Sequence, residues 1–208
     1  MQYIYDGSYG GFLSAVFEAF ESKEWGAQII HKQEYIASFF EESKKIENDE
    51  KKFQRVRKGI RKIAGTSVEK DFFKVFLSED TTAIQYLFDL LILIFQQGPS
   101  ILKNFGHPKV LHFHQTLKKV NRERHRMQAF IRFQQSTDGL YFAIIDPDFN
   151  VLPLLLKFFK NRYTDQNWMI YDVKRDYGML YNQTSIEEVN LSPNQSLELS
   201  TTTIELTE

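Results

Sequence analysis

The carboxylates and arginines between positions 122 and 175 are the residues with which this chain could do chemistry. Asp172 lies in the apolar run WMIYDV just before Lys174 and Arg175, and Glu123 lies among Arg122, Arg124 and Arg126. A carboxylate inside an apolar strand is costly unless a cation neutralises it, and the same burial can shift its pKa toward the range a general acid or base needs. Asp172 is therefore expected to pair with Arg132, Arg162 or Arg175, with catalysis as the alternative. Glu123 reads as a helical charge pair, or as a carboxylate steering an arginine toward phosphate. Other acids of the region already have turn chemistry: Asp138 precedes Gly139, Asp146 precedes Pro147, and Asp148 can cap the next helical segment.

Phosphate recognition is the second chemistry on offer. Residues 1–50 carry 4 Lys/Arg and 10 Asp/Glu, residues 51–135 carry 17 and 6, and residues 136–208 carry 5 and 11, so a basic middle lies between acidic ends despite a net charge of −1. Such a middle can attract phosphates, or be neutralised by its own flanks. Arg55, Lys58, Arg61 and Lys62 belong to a basic amphipathic stretch within it, and Arg122, Arg126, Arg132, Arg162, Lys174 and Arg175 complete the candidate nucleic-acid contacts. Phe130, Trp168 and Tyr171 stand near these cations. Rings interleaved with cations can stack bases while the cations hold a backbone, although core packing is the commoner fate of a ring.

Several classes of chemistry are excluded or disfavoured. The chain has no cysteine, which rules out disulfides, thiolate zinc sites, iron–sulfur clusters and thiol nucleophiles within it. His107, His112, His114 and His125 lie close together, but His112 and His114 point about 200° apart on a helix and no HExxH pattern accompanies them, so neither metal nor cofactor is expected. Phosphate-loop, dinucleotide, kinase and nucleophile-elbow motifs are also missing. The longest apolar run, Ile84 to Phe95, is interrupted by Gln85, Tyr86 and Asp89 and falls short of the roughly 20 residues that span a bilayer. With no signal-like N-terminus, the expectation is a soluble cytoplasmic protein without a membrane partner.

The elements that must position these residues change character near position 128. Before it, apolar residues recur at helical spacing: Phe12, Val16, Ala19 and Phe20; then Phe53, Val56, Ile60 and Ile63 between Lys51 and Ala64; then Val110, Phe113, Leu117 and Val120 after Pro108. Val68 to Leu77 reads as a further helix, and Ile84 to Gln97 as a buried one capped by Ser78 and stopped by Gly98-Pro99. The acidic cluster at 47–50 suits a helix N-terminus, Tyr3 to Tyr9 a strand or turn, and Ser38 to Ile46 a helix or loop. Gln128 to Gln134 and Leu140 to Ile145 then read as a hairpin, Leu152 to Tyr163 as a helix, and Trp168 to Val173 with Tyr177 to Tyr181 as a second strand pair. The spacing predicts an α+β class: one domain over 1–183, helical from 10 to 127 and a ββαββ antiparallel sheet from 128 to 182. Residues 184–208, which include LELSTTTIEL, read as a polar tail, disordered in part or an edge strand.

Three ordered stretches, YDGSYGGFLSAVFEAF, NRERHRMQAFIRFQ and LPLLLKFFKNRYTDQNWMIYDVKRDYGMLY, give the chain a resemblance to a bacterial DNA-metabolism family of otherwise unknown function. The resemblance runs to about Asn182. It keeps Tyr5, Asp6, Gly7, Glu123, Phe130, Arg132, Phe133, Pro153, Phe159, Arg162, Trp168, Tyr171, Asp172, Arg175 and Tyr177. It implies work on DNA beside a radical SAM protein of DNA modification or repair, and in some chains fusion to a uracil-DNA glycosylase-like domain. One position departs: the family usually has His-Phe where this chain has Phe158-Phe159. That exchange favours recognition over catalysis.

The resulting expectation is a DNA-binding accessory module acting with a radical SAM partner. An enzyme with Asp172, Glu123, Arg132 and Arg162 in one pocket is the first alternative. A protein-interaction scaffold that never touches DNA is the second.

Overall fold

The structure, a computed structural model, describes residues 1–37, 40–137 and 139–190. They fold as an α+β protein with six helices, helical in the first part and ending in a five-stranded sheet, as the spacing predicts. Contacts divide the chain into two compact units, 1–119 and 120–208.

The first unit opens with strand β1 (Gln2–Tyr5), central in a small parallel sheet between β2 (Gln28–His31) and β3 (Ser43–Lys45). Helix α1 (Tyr9–Ser22) comes directly after β1 because Ser8 caps it, its hydroxyl accepting from the Gly11 amide at 2.9 Å. Helix α2 (Glu50–Ala64) starts as the acidic cluster predicts: Asp49 accepts from the amides of Lys51 and Lys52 at 2.8 and 3.1 Å. Helices α3 (Thr66–Phe76) and α4 (Thr81–Gln97) complete the layer, and α4 is the buried centre through Leu87, Phe88, Leu90, Leu91 and Ile94. Gly98, at φ +89°, ends α4 before Pro99.

Two local expectations for this unit are corrected. The cap of α4 is Asp80, which accepts from the Ala83 amide at 2.7 Å, rather than Ser78. The aspartate lies nearer the first turn and its charge suits the positive end of the helix. The 38–46 segment supplies β3 instead of a helix; its three residues are all exposed, so no alternation announced them, and only the open edge of β1 makes them a strand.

Helix α5 (Pro108–Phe130) contributes Val110 and Phe113 to the first core and Val120 to the second. It runs through Gln128 to Phe130, where the sequence suggested a strand. No Gly or Pro interrupts it there, and the Ile131 amide still donates to the Met127 carbonyl at 3.0 Å. The predicted first strand shrinks to β4 (Gln134–Gln135).

Downstream, β5 (Tyr141–Ile145), α6 (Leu152–Arg162), β6 (Trp168–Asp172) and β7 (Tyr177–Tyr181) fall where the periodicity placed them. Within the segment read as tail, Ile186–Val189 forms β8, an edge strand; LELSTTTIEL and the Asp138 turn position lie outside the described residues. The strand order is β4-β5-β6-β7-β8. The sheet is antiparallel except at β5–β6, which is parallel, because α6 carries the chain back to the starting edge before β6 begins. One face packs α6 through Leu152, Leu155 and Phe159 against Ala143, Ile145, Trp168 and Ile170. Because they run parallel, β5 and β6 share an amino end and a carboxyl end, and the candidate residues fall at both.

Candidate functional site

At the carboxyl end, Asp172 is fully buried. Its carboxylate accepts from the amides of Lys174 and Arg175 at 3.1 and 3.3 Å and from the Arg175 guanidinium at 2.9 Å. Burial pushes the Asp172 carboxyl above its ordinary value, against the opposing pull of Arg175 and those two amides. Arg175 reaches on to the carbonyls of Pro147 and Asp148, at 3.1 and 3.2 Å, and the Lys174 ammonium donates to the Asp148 carbonyl at 3.4 Å. From the other side Glu123, also buried, accepts from the Asp148 amide at 3.2 Å and from Arg126 at 2.7 Å. Asp172, Arg175, Lys174 and Glu123 thus hold the 146–148 loop, and Arg126 neutralises Glu123. Of the three partners expected for Asp172, Arg175 is the one in place.

On α2 the cations divide in a similar way. Buried Glu69 of α3 accepts from Arg57 Nε at 2.5 Å and pairs with Arg61 at 3.3 Å, and Glu18 takes Lys52 and Lys44. Arg55 lies over the Phe17 ring, while Lys58 and Lys62 are exposed. Glu69 escaped the sequence reading although a signal was there: with Phe72 and Phe76 it occupies positions i, i+3 and i+7 on the buried face.

At the amino end of β5 and β6, Arg132 and Arg162 converge on a pocket of about 550 Å³. Its walls include Phe133, Tyr141, Tyr163, Gln166 and Trp168 and, among the described residues, no carboxylate. Both arginines stand where a helix finishes. Arg132 lies just past α5 and donates to the carbonyls of Ala129 and Ile131 at 2.8 and 3.1 Å, whereas Arg162 closes α6 and sits 5.6 Å from the Tyr163 ring centroid, its Nε 3.2 Å from the Tyr163 hydroxyl. Helix C-termini favour cations, which explains the placement. Among the described residues neither guanidinium has a carboxylate partner. Under the pocket Phe133 meets Phe159 and Tyr163 edge-on at 5.5 and 5.4 Å, fixing the wall. Trp168 is 1% exposed, and its indole N–H has no acceptor among the described residues.

Arg132 was expected inside an apolar strand; it is exposed and caps a helix, because α5 outruns its predicted end. Arg122 is a residue of α5 outside the pocket. Phe130 is 69% exposed and borders an adjoining groove with Met127 and Phe142, which shares Ile131 and Arg132 with the pocket and also includes Asp146. Tyr171 is buried and donates to Asp176, so it offers no stacking face. Phe158, at the position where the resembling family has histidine, lies on the exposed side of α6 and outside the pocket wall. Gln166 is the pocket residue no motif indicated; a glutamine in a turn carries no periodic signal. Asp172 and the pocket are separated by the length of β6, four steps from Trp168 to Asp172 or about 13 Å at ~3.3 Å each, so the four-residue pocket of the enzyme alternative does not assemble. Among the described residues no group of three His, Asp or Glu side chains is placed to hold a metal ion, and no helix is long and apolar enough to cross a membrane. His114 instead bonds the Leu102 carbonyl at 3.0 Å, and His112 packs edge-on to Tyr86.

The mixed sheet with its crossover helix, and two arginines beside aromatic rings in a pocket at one end of the parallel pair, define an α+β protein with a cationic aromatic pocket. Over residues 81–203 the chain matches DUF4130, a domain of unknown function; this is more than half of its length, and the chain belongs to that family. No curated protein and no solved structure matches it.

Proposed function

We propose that this protein is a nucleic-acid-binding module of DNA metabolism that acts beside a separate DNA-modifying or repair enzyme of the radical SAM type. The observation that carries the binding reading is the pairing of Arg132 and Arg162, free of carboxylate partners among the described residues, with an aromatic wall in one pocket. Paired cations answer a phosphodiester, and rings answer bases. Arg55, Lys58 and Lys62 on α2 offer further cations for backbone contact. The DNA and radical SAM parts of the reading draw on the resemblance of the three sequence stretches, as does the link to uracil-DNA glycosylase-like domains.

A reaction gains no support, since Asp172 and Glu123 are both committed to holding the 146–148 loop. The scaffold alternative draws on one observation, exposed Phe130 at the rim of its groove. Polarisation of labelled single- and double-stranded DNA at low salt decides between them. Binding that weakens steeply as salt rises is the expected result, because phosphate contacts release counterions. Absence of binding at about 50 mM salt overturns the proposal, and nuclease-resistant co-purification with the radical SAM partner would then select the scaffold.

A further inference from the structure

We infer that the Arg132–Arg162 pocket takes one unpaired nucleotide of a DNA strand, with its phosphate on the two guanidiniums and its base against the aromatic wall. The inference rests on the nucleic-acid reading above and names what that site holds. Size is the first argument: about 550 Å³ lies inside the roughly 300–1,000 Å³ range of pockets for single small ligands, whereas a duplex could only lie across the mouth.

Charge is the second. Each helix C-terminus brings roughly half a negative charge, so two arginines leave a site of about one net positive charge, which matches one phosphodiester. The third argument is the wall. Tyr141, Tyr163 and Phe133 are more ring surface than phosphate binding alone requires, and Gln166 adds an amide able to donate to and accept from a base edge. Trp168 borders this wall but is 1% exposed with its indole N–H buried, so it reports on the pocket rather than touching its occupant. An unpaired nucleotide supplies a phosphate for the arginines, a ring face for the aromatics and a base edge for Gln166 together. Paired bases hide their edges and cannot enter.

The chain has two tryptophans, and Trp25 is partly exposed in the first unit, so Trp25→Phe leaves Trp168 as the only indole reporter. This variant is titrated with a twelve-residue oligothymidylate, thymidine monophosphate, inorganic phosphate and a blunt hairpin duplex without unpaired ends. In parallel, polarisation of the labelled oligothymidylate is measured on the unmodified chain and on Arg162→Ala, an arm that does not depend on the Trp25 variant folding. Expected are a change in Trp168 emission with the oligothymidylate, a weaker saturable one with the monophosphate, none with the blunt duplex, and at least tenfold weaker strand binding by Arg162→Ala at unchanged Tm. Strand binding that leaves Trp168 emission and the Arg162→Ala affinity unmoved overturns the pocket assignment while the nucleic-acid reading survives. An equal response to inorganic phosphate reduces the site to an anion site, and an equal response to the duplex removes the requirement for an unpaired nucleotide; each overturns the inference. No binding of any DNA overturns both readings.

Discussion

The two ends of β6 use arginine in opposite ways. At the carboxyl end Arg175 is met by Asp172 and the carbonyls of Pro147 and Asp148, and Arg126 by Glu123, so each cation closes a contact inside the fold. At the amino end Arg132 and Arg162 bond only backbone carbonyls or a tyrosine among the described residues, and the pocket they share has no carboxylate among its described residues, although Arg132 also borders the groove that includes Asp146. The same residue type, a strand's length apart, is structural at one end and available at the other. What separates them is the companion acid, and a count of basic residues along the chain does not contain that information.

The carboxyl end gives the most severe way to break the comparison. Asp172→Ala removes the buried acceptor of the Lys174 and Arg175 amides and of the Arg175 guanidinium, whose side chain is only 11% exposed, and breaking one side of such a buried network costs about 3–5 kcal/mol. Urea unfolding followed by tryptophan emission should show a loss of that order. DNA binding by the folded fraction should stay within about twofold of the parent, since the pocket is at the other end. If Asp172→Ala leaves stability unchanged but abolishes a biochemical activity, the carboxyl end is a reacting site and the division proposed for β6 is wrong.

Arg162→Ala is the converse experiment. Its guanidinium is exposed and its bond to the Tyr163 hydroxyl lies at the surface, so stability should move by less than about 0.5 kcal/mol. Strand affinity should fall at least tenfold, about 1.4 kcal/mol, and the slope of log K against log salt should drop by about one. Arg126→Ala provides the contrast: melting temperature falls while affinity holds. Equal effects of the two variants on affinity would erase the distinction between the ends.

Much of this architecture was legible in the residues, for identifiable reasons. The order β5, α6, β6, β7 could be read because its apolar runs are bounded by Asp146-Pro147, Asp165 and Lys174-Arg175. The strand direction could not, since periodicity gives the face of a strand and not its neighbour. β2 is short and half-buried and β3 short and exposed, so neither shows a burial alternation and both depend on β1. At the site, Asp172 among Trp168, Ile170 and Tyr171 was a visible anomaly, whereas the choice of Arg175 over Arg132 required the hairpin geometry. The pocket itself joins residues from 129 to 168, and only the parallel crossover brings both its arginines to one end.

Glu69→Gln carries the comparison to α2. Removing this charge leaves Arg57 and Arg61 without their carboxylate, but water reaches both side chains, at 33% and 40% exposure, so the expected loss is about 1–2 kcal/mol, less than at Asp172. The two released guanidiniums should also raise DNA affinity about two- to threefold at low salt, with a steeper salt slope. A change in stability with none in affinity would show that α2 does not face the nucleic acid, and would leave the pocket as the whole binding surface.

The smallest expected effect lies in acid titration, where one partly exposed and one buried carboxylate act with opposite sign. Burial alone would raise the Glu18 carboxyl, but hydrogen bonds from Lys44 and Lys52 outweigh it and hold the group below its ordinary value of 4.5. The unfolded chain therefore binds this proton more readily than the folded one. Glu18 contributes stability in full above about pH 4.5, and the contribution is lost as pH falls through the lower folded value. Asp172 has the reverse sense: its folded value lies above the ordinary 3.8, so its ionisation opposes folding as pH rises from 3.8 through that raised value. Urea midpoints between about pH 3 and 7 should accordingly lose a component of their acid decline in Glu18→Gln. In about 0.5 M salt the difference should shrink, because Lys44 and Lys52 are partly exposed and their attraction is screened. An acid limb that is the same in Glu18→Gln and the parent would mean that this lysine pair does not hold the carboxylate, and Lys44 and Lys52 would then join Lys58 and Lys62 among the cations open to phosphate.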